Sequence, residues 1–231
     1  MTVINQSSFV HSSYFSQISY DSNTKLAVEQ LQCIRDDRVL FENLNFSLSA
    51  GQLLQIEGRN GSGKTSLLRI LCGLTLPTEG RVYWNQEEIQ EISSIYWANL
   101  AYIGHAPGVK GDLTPLENLI ITRSLANQAT AHDLMDVLEQ VGLYGFEDVP
   151  TRTLSAGQQR RVALARLLIN QAQLWILDEP FTALDQLAIK MIENWLDQHA
   201  GQGGMAVVTS HHQLNCQHAR ILKLGVEQST R

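Results

Sequence analysis

The chain is predicted to be α/β, with a mostly parallel core sheet, an N-terminal antiparallel β subdomain and an inserted helical subdomain. Three features carry that expectation. Short apolar runs separated by polar turns fill residues 26–48, strand and helix signals alternate after Gly51, and residues 113 to about 170 read mostly as helix.

In chain order, residues 1–25 are rich in Ser, Asn and Gln, carry little charge and no helical period, and are expected to form a poorly ordered extension. Residues 26–231 are expected to form a single domain, with the helical subdomain at about 106–170. "LAVEQLQCI" and "VLFENLNFSL" predict antiparallel strands, and "GQLLQIEG" a short strand ending at Gly58. "KTSLLRILCGL" predicts a helix stopped by Gly73, with Pro77 beyond it. "TEGRVYWN" is a turn and a strand. In "TPLENLI", Thr114, Pro115 and Glu117 form a capping-box start. In "TAHDLMDVLEQVGL", Leu134, Val137, Leu138 and Val141 share one face and the helix stops near Gly142. "AQLWILDEP" returns to sheet, "QLAIKMIENWLDQ" is helical, and "MAVVTSHH" is expected to be the last strand. Such alternation places ligands at the C-terminal ends of the strands.

The 231 residues carry a formal charge of −6, which disfavours a nucleic-acid partner held by phosphate neutralisation. No apolar run is long enough to span a bilayer and no basic segment precedes an apolar one at the N-terminus, so a soluble, unsecreted protein is expected. Cys33, Cys72 and Cys216 are scattered, which suits a reducing compartment and argues against a cysteine metal site.

Two loops suit phosphate. "GRNGSGKT", from Gly58 through Arg59, Asn60, Gly61, Ser62, Gly63 and Lys64 to Thr65, with Ser66 following, satisfies G-x-x-x-x-G-K-[ST] between a strand and a helix. Its glycines admit phosphate oxygens to the backbone, Lys64 reaches the β- and γ-phosphates of ATP, and Thr65 offers a hydroxyl to Mg²⁺. The alternative is a turn that only joins strand to helix. "LWILDEP" ends a strand in Asp178, suited to Mg²⁺, and Glu179, suited to orient or deprotonate a water. Alone, such a pair is more often a solvated turn. "LSAGQQRR" opens another helix at Ser155. Read plainly, Ser155 caps it, Val162, Ala165 and Ile169 pack inward, and Arg160 and Arg161 face solvent.

Taken together, "GRNGSGKT", "LSAGQQRR" and "LWILDEP" resemble the ATP-binding cassette (ABC) ATPases, P-loop NTPases with a RecA-like core, over nearly everything from Leu26 onward. The resemblance implies ATP hydrolysis in a head-to-tail homodimer. One ATP would lie between the phosphate loop of one chain and Ser155, Gly157 and Gln158 of its partner. It also implies that Asp185 in "TALD" couples the two sites and that His211, rather than the adjacent His212, is the switch histidine. Two positions depart from the family. His105 occupies the slot of a glutamine that meets Mg²⁺ and water, which brings a pH dependence glutamine lacks. Arg35 falls near the usual adenine-stacking aromatic, where its guanidinium plane could stack or leave the base loosely held. Slow turnover and modest nucleotide affinity are expected.

"CIRDDRVLF", "YIGHAPGVKGDLTPLENL", "LWILDEPFTALD" and "VVTSHHQLN" are further similar to the ATP-binding subunits of the haem-handling exporter of bacterial cytochrome c maturation. That likeness implies a peripheral protein on the cytoplasmic face of the inner membrane, docked through the helical subdomain onto integral membrane subunits and driving haem export or release of a haem-loaded chaperone. No C-x-x-C-H motif is present, so direct contact with haem is not expected. An ATPase for a lipid, drug or ion exporter, a soluble non-transport ABC ATPase, and a non-catalytic cassette remain as alternatives.

Overall fold

The computed structural model describes residues 20–125, 132–217 and 219–225. Strands β1 (Lys25–Arg35) and β2 (Arg38–Ser49) pair antiparallel. Asp36 and Asp37, both at positive φ (50° and 57°), make the tight turn between them, a conformation whose twist matches the flanking strands. A register shift near Gln30 (φ 49°) resets the alternation, so that Leu31 and Cys33 rejoin Leu26 and Val28 on the buried face. With β4 (Glu79–Trp84) and the two-residue β5 (Glu87–Glu88) these strands form a sheet of order β2-β1-β4-β5.

The second sheet is wholly parallel. It comprises β3 (Leu53–Glu57), β6 (Leu100–Ile103), β7 (Leu174–Asp178), β8 (Met205–Thr209) and β9 (Ala219–Lys223), in the order β6-β7-β8-β3-β9. Its central strands are continuous apolar runs because both faces are covered. Ile56, Ile176 and Val207 pack with Leu67 and Leu68 of α1 (Lys64–Leu71). On the other face, Leu177 and Val208 pack with Ile192, Trp195 and Leu196 of α6 (Gln186–Gly201). Helix α1 ends as expected at Gly73 (φ 69°), where the Gly73 and Leu74 N–H groups return to the carbonyls of Ile70 and Arg69.

Four elements go beyond the sequence reading: the two-residue β5, the short helix α2 (Ser93–Ala98), β6 directly after it, and β9, which displaces β8 as the last strand. The helical region is also less continuous than expected. It holds α3 (Pro115–Leu125), α4 (Leu134–Gln140) and α5 (Ala156–Ala165), with only a single 3₁₀ turn at Thr151–Thr153 between the last two. The capping box at Thr114 forms as read: Thr114 N–H donates to Glu117 at 2.8 Å and Glu117 N–H to the Thr114 hydroxyl at 3.2 Å. Helix α4 is capped by Asp133. Of the expected N-terminal extension, residues 1–19 lie outside the described residues, whereas Tyr20 donates to the Ala172 carbonyl and buried Thr24 to Gln173. No helix among the described residues is long and apolar enough to cross a membrane.

Ile176, fully buried at the centre of the parallel sheet, sets a test of this core. Ile176→Ala is expected to lower the unfolding free energy by about 2–5 kcal/mol in urea denaturation. The exposed Ile95→Ala should change it by less than about 0.5 kcal/mol.

Candidate nucleotide site

The loop Gly58–Thr65 joins β3 to α1. Gly61 (φ 78°) and Gly63 (φ 94°) hold left-handed backbone, and a Cβ on Gly63 would lie 3.0 Å from that of Leu40. No side chain caps α1, so its first N–H groups are available to an anion. The Lys64 ammonium donates to the carbonyls of Gly58 at 2.7 Å and Arg59 at 3.5 Å.

Asp178 ends β7 and is only 2% exposed. Its carboxylate accepts two hydroxyl bonds, from Thr65 Oγ1 at 3.0 Å and from Thr209 Oγ1 at 2.7 Å. Glu179 follows at φ 49°, and its N–H is shared between the Thr209 carbonyl (3.1 Å) and hydroxyl (3.0 Å). Its Oε1 is buried without a hydrogen-bond partner; His211 Nε2 stands 3.6 Å away, beyond hydrogen-bonding range. The adjacent histidines diverge. His211 lines the cleft with its side chain 66% exposed, whereas His212 turns toward Glu193 (3.3 Å) and the ring of Phe181.

A cleft of about 680 Å³ gathers Arg35, Asn60, Gly61, Gly63, Lys64, Thr65, Ser66, His105, Asp178, Glu179 and His211. Asp36, Arg38, Leu40 and Thr182 complete it. The sequence reading missed these four, although Asp36 lies in the hairpin turn next to Arg35 and Arg38 pairs with Arg35 across it. The Arg35 guanidinium is engaged locally, donating to the carbonyls of Ile34 (3.3 Å) and Leu76 (3.2 Å).

Ser155, Gly157, Gln158 and Asp185 do not line this cleft. Ser155 and Gln158 form a reciprocal capping box at the start of α5, with bonds of 3.2 and 2.9 Å. Gly157 is required by crowding, because a Cβ there would fall 2.6 Å from the Ala183 carbonyl oxygen. Asp185 caps α6 through Ala188 N–H and pairs with Arg161 at 2.7 Å. The two arginines are not solvated as the plain reading had it. Arg161 is partly covered in that pair, and Arg160 is 3% exposed, reaching back to the carbonyls past the ends of β6 and β7. Burial pushes the Arg160 guanidinium below its usual value, and the Asp178 and Glu179 charges oppose that shift.

A phosphate loop after β3 and paired carboxylates after β7, either side of β8, define an ATP-binding cassette ATPase when joined to the antiparallel subdomain and the helical insert. The family described as "ABC transporter" matches residues 41–182. The chain is 53% identical over 195 residues to the cytochrome c biogenesis ATP-binding export protein CcmA of Methylococcus capsulatus, spanning 84% of this chain and 94% of that protein. It is 55% identical over 190 residues to the protein of the same name from Pseudomonas syringae pv. tomato, spanning 82% and 89%. A dimeric ATP-binding cassette in a post-hydrolysis state, bound to ADP and Pi, shares the fold at a TM-score of 0.72 with 24% identity, over 86% of this chain and 94% of that one. The chain belongs to the ABC transporter family and, within it, to the CcmA family of cytochrome c biogenesis ATP-binding export proteins.

Thr209 is fully buried, and its hydroxyl serves both Asp178 and the Glu179 N–H. Thr209→Val should cost about 1–3 kcal/mol in urea denaturation, because it leaves the carboxylate short of a donor, whereas Thr209→Ser should recover most of the loss.

Proposed function

We propose that the chain is the ATP-hydrolysing subunit of an ABC exporter serving c-type cytochrome biogenesis. The observation that carries the hydrolytic reading is the orphaned, buried Glu179 Oε1 in the cleft that also holds the phosphate loop. A buried carboxylate oxygen without a donor is costly unless a ligand or water supplies one.

The γ-phosphate oxygens lie against the loop N–H groups, and Lys64 exchanges its carbonyl partners for phosphate. Glu179 accepts the proton of the attacking water, and His211 donates toward the γ-phosphate. His105, at the edge of the cleft, replaces the family's glutamine in orienting that water. Thr65 and Asp178 present the hard oxygen donors that suit Mg²⁺, which when bound neutralises charge on the β- and γ-phosphates. Arg35 lines the cleft and offers its guanidinium plane to the adenine ring for stacking; without that stacking the base is held loosely.

Ser155, Gly157 and Gln158, which do not line this cleft, serve the nucleotide of a second copy in a head-to-tail dimer, with Asp185 linking the two sites. The CcmA relatives are named for export in cytochrome c biogenesis, which supports haem export, or release of a haem-loaded chaperone, as the work the cycle drives. The chain sits peripherally on the cytoplasmic face of the inner membrane. Outside the helical subdomain expected to dock, half-exposed Leu74 and Trp97, the latter held by its Nε1 donating to the Cys72 carbonyl, offer integral membrane subunits apolar surface.

Glu179→Gln tests this reading. ATP binding should persist while turnover falls by on the order of a hundredfold or more, and covalently bound haem should vanish from membrane and periplasmic proteins as in a strain lacking the chain. Persistent cytochromes would remove the cytochrome role; persistent turnover would remove Glu179 as the base. Trp97→Ala should release the chain from the membrane fraction, and wild-type retention would place docking elsewhere.

A further inference from the structure

Arg160 lies in α5, the helix that opens on Ser155, Gly157 and Gln158. Its guanidinium is buried, and each of its five N–H donors meets a backbone carbonyl. Nε donates to Pro180 at 3.2 Å, Nη1 to Gly104 at 2.8 Å and His105 at 3.4 Å, and Nη2 to Asp178 at 2.8 Å and Glu179 at 2.7 Å. All five carbonyls lie at or just past the C-terminal ends of β6 and β7, which neighbour each other in the sheet.

This arrangement bears on two residues of the cleft, Glu179 and His105. Glu179 holds a left-handed φ of 49°, uncommon for a residue with a side chain. Its N–H is fixed by Thr209 and its carbonyl by Arg160, so the fork determines where the carboxylate points. His105 follows β6 in a loop without regular structure, and the same fork holds the carbonyls of Gly104 and His105. One planar group therefore sets the two cleft residues relative to each other. A lysine, with a single ammonium and three donors, cannot span five acceptors arranged around a fork.

We propose that Arg160 is a positioning residue for hydrolysis: from the helix that opens on Ser155, Gly157 and Gln158, the signature loop of the family, it holds Glu179 and His105 of its own chain in register with the bound nucleotide. This inference rests on the proposed ATPase reading and its two-chain site. It requires that loss of the fork misplace Glu179 while leaving the phosphate loop, on β3 and α1, able to bind ATP.

The test uses Arg160→Lys in the full chain. kcat should fall by on the order of a hundredfold with the KM for ATP little changed, as expected for misplacement of a reacting group. A support role confined to stability would lower the melting temperature without that split. Co-expressed, doubly tagged heterodimers with a Glu179→Gln chain then separate the sites, since only one Glu179 remains. Activity should be lost when Arg160→Lys shares the chain with the remaining Glu179, and kept when it sits in the Glu179→Gln chain. Loss in both arrangements, loss only in the second, or loss in neither overturns the proposal. If neither Arg160→Lys nor Arg160→Gln chains can be recovered in heterodimers while the wild-type pairing can, Arg160 is a folding determinant and the proposal also falls. If the wild-type chain does not pair with Glu179→Gln in ATP, the two-chain reading fails instead, and the kcat and KM of Arg160→Lys alone still decide whether the fork positions Glu179.

Discussion

The site depends on a carboxylate that the fold has taken out of water. Asp178, at 2% exposure, would be costly to bury as an anion without donors on both oxygens. Thr65 supplies one and Thr209 the other. Those two hydroxyls belong to the first turn of α1 and the last residue of β8, so satisfying Asp178 requires the phosphate loop, β7 and β8 to converge at one end of the sheet. Parallel pairing delivers that convergence, since every strand then ends on the same edge. Thr209 also takes the Glu179 N–H, so the Glu179 carboxylate inherits its position from that of Asp178.

The signature loop is built under different constraints. Ser155 and Gln158 satisfy each other's backbone, which leaves the loop ordered before any ligand arrives and lowers the entropy that binding must overcome. Gly157 packs against the Ala183 carbonyl, which draws α5 against the loop after Glu179. The Arg161–Asp185 pair joins the same two segments but is partly exposed and contributes little stability on its own. The loop is thus tightly tied to its own chain's carboxylate segment, yet its residues do not line its own cleft.

Most of the fold was legible because its signals were local. Gly73, the Thr114 capping box, the Ser155 N-cap and the apolar runs of β3, β7 and β8 each specify an element within a few residues. Strand β6 and helix α2 were missed because "IYWANLAYIG" packs a six-residue helix and a four-residue strand into one apolar stretch, where periodicity has no room to declare itself. Strand β9 was missed because "ARILK" sits at a sheet edge, with exposed and half-buried positions in place of a continuous apolar run. The cleft's loop, carboxylates and His211 were readable as motifs. Arg160 was not, since an arginine after a helix start ordinarily faces water. Its partners are backbone carbonyls from two distant segments, which no side-chain pattern announces. The preference for His211 over His212 rests on resemblance alone; what turns His212 aside, its contact with Glu193 on α6, is a tertiary pairing that spacing does not show.

The central claim is that each nucleotide is held by the phosphate loop of one chain and the signature loop of another. Mixing two disabled chains tests it most directly: Lys64→Ala, with a dead phosphate loop and an intact signature, and Ser155→Arg, with the reverse. Each alone should hydrolyse no ATP, while the purified mixed dimer should regain turnover, because it contains one composite site with both halves intact. A verified mixed dimer as inactive as its parents, or a Ser155→Arg chain active by itself, would contradict the account.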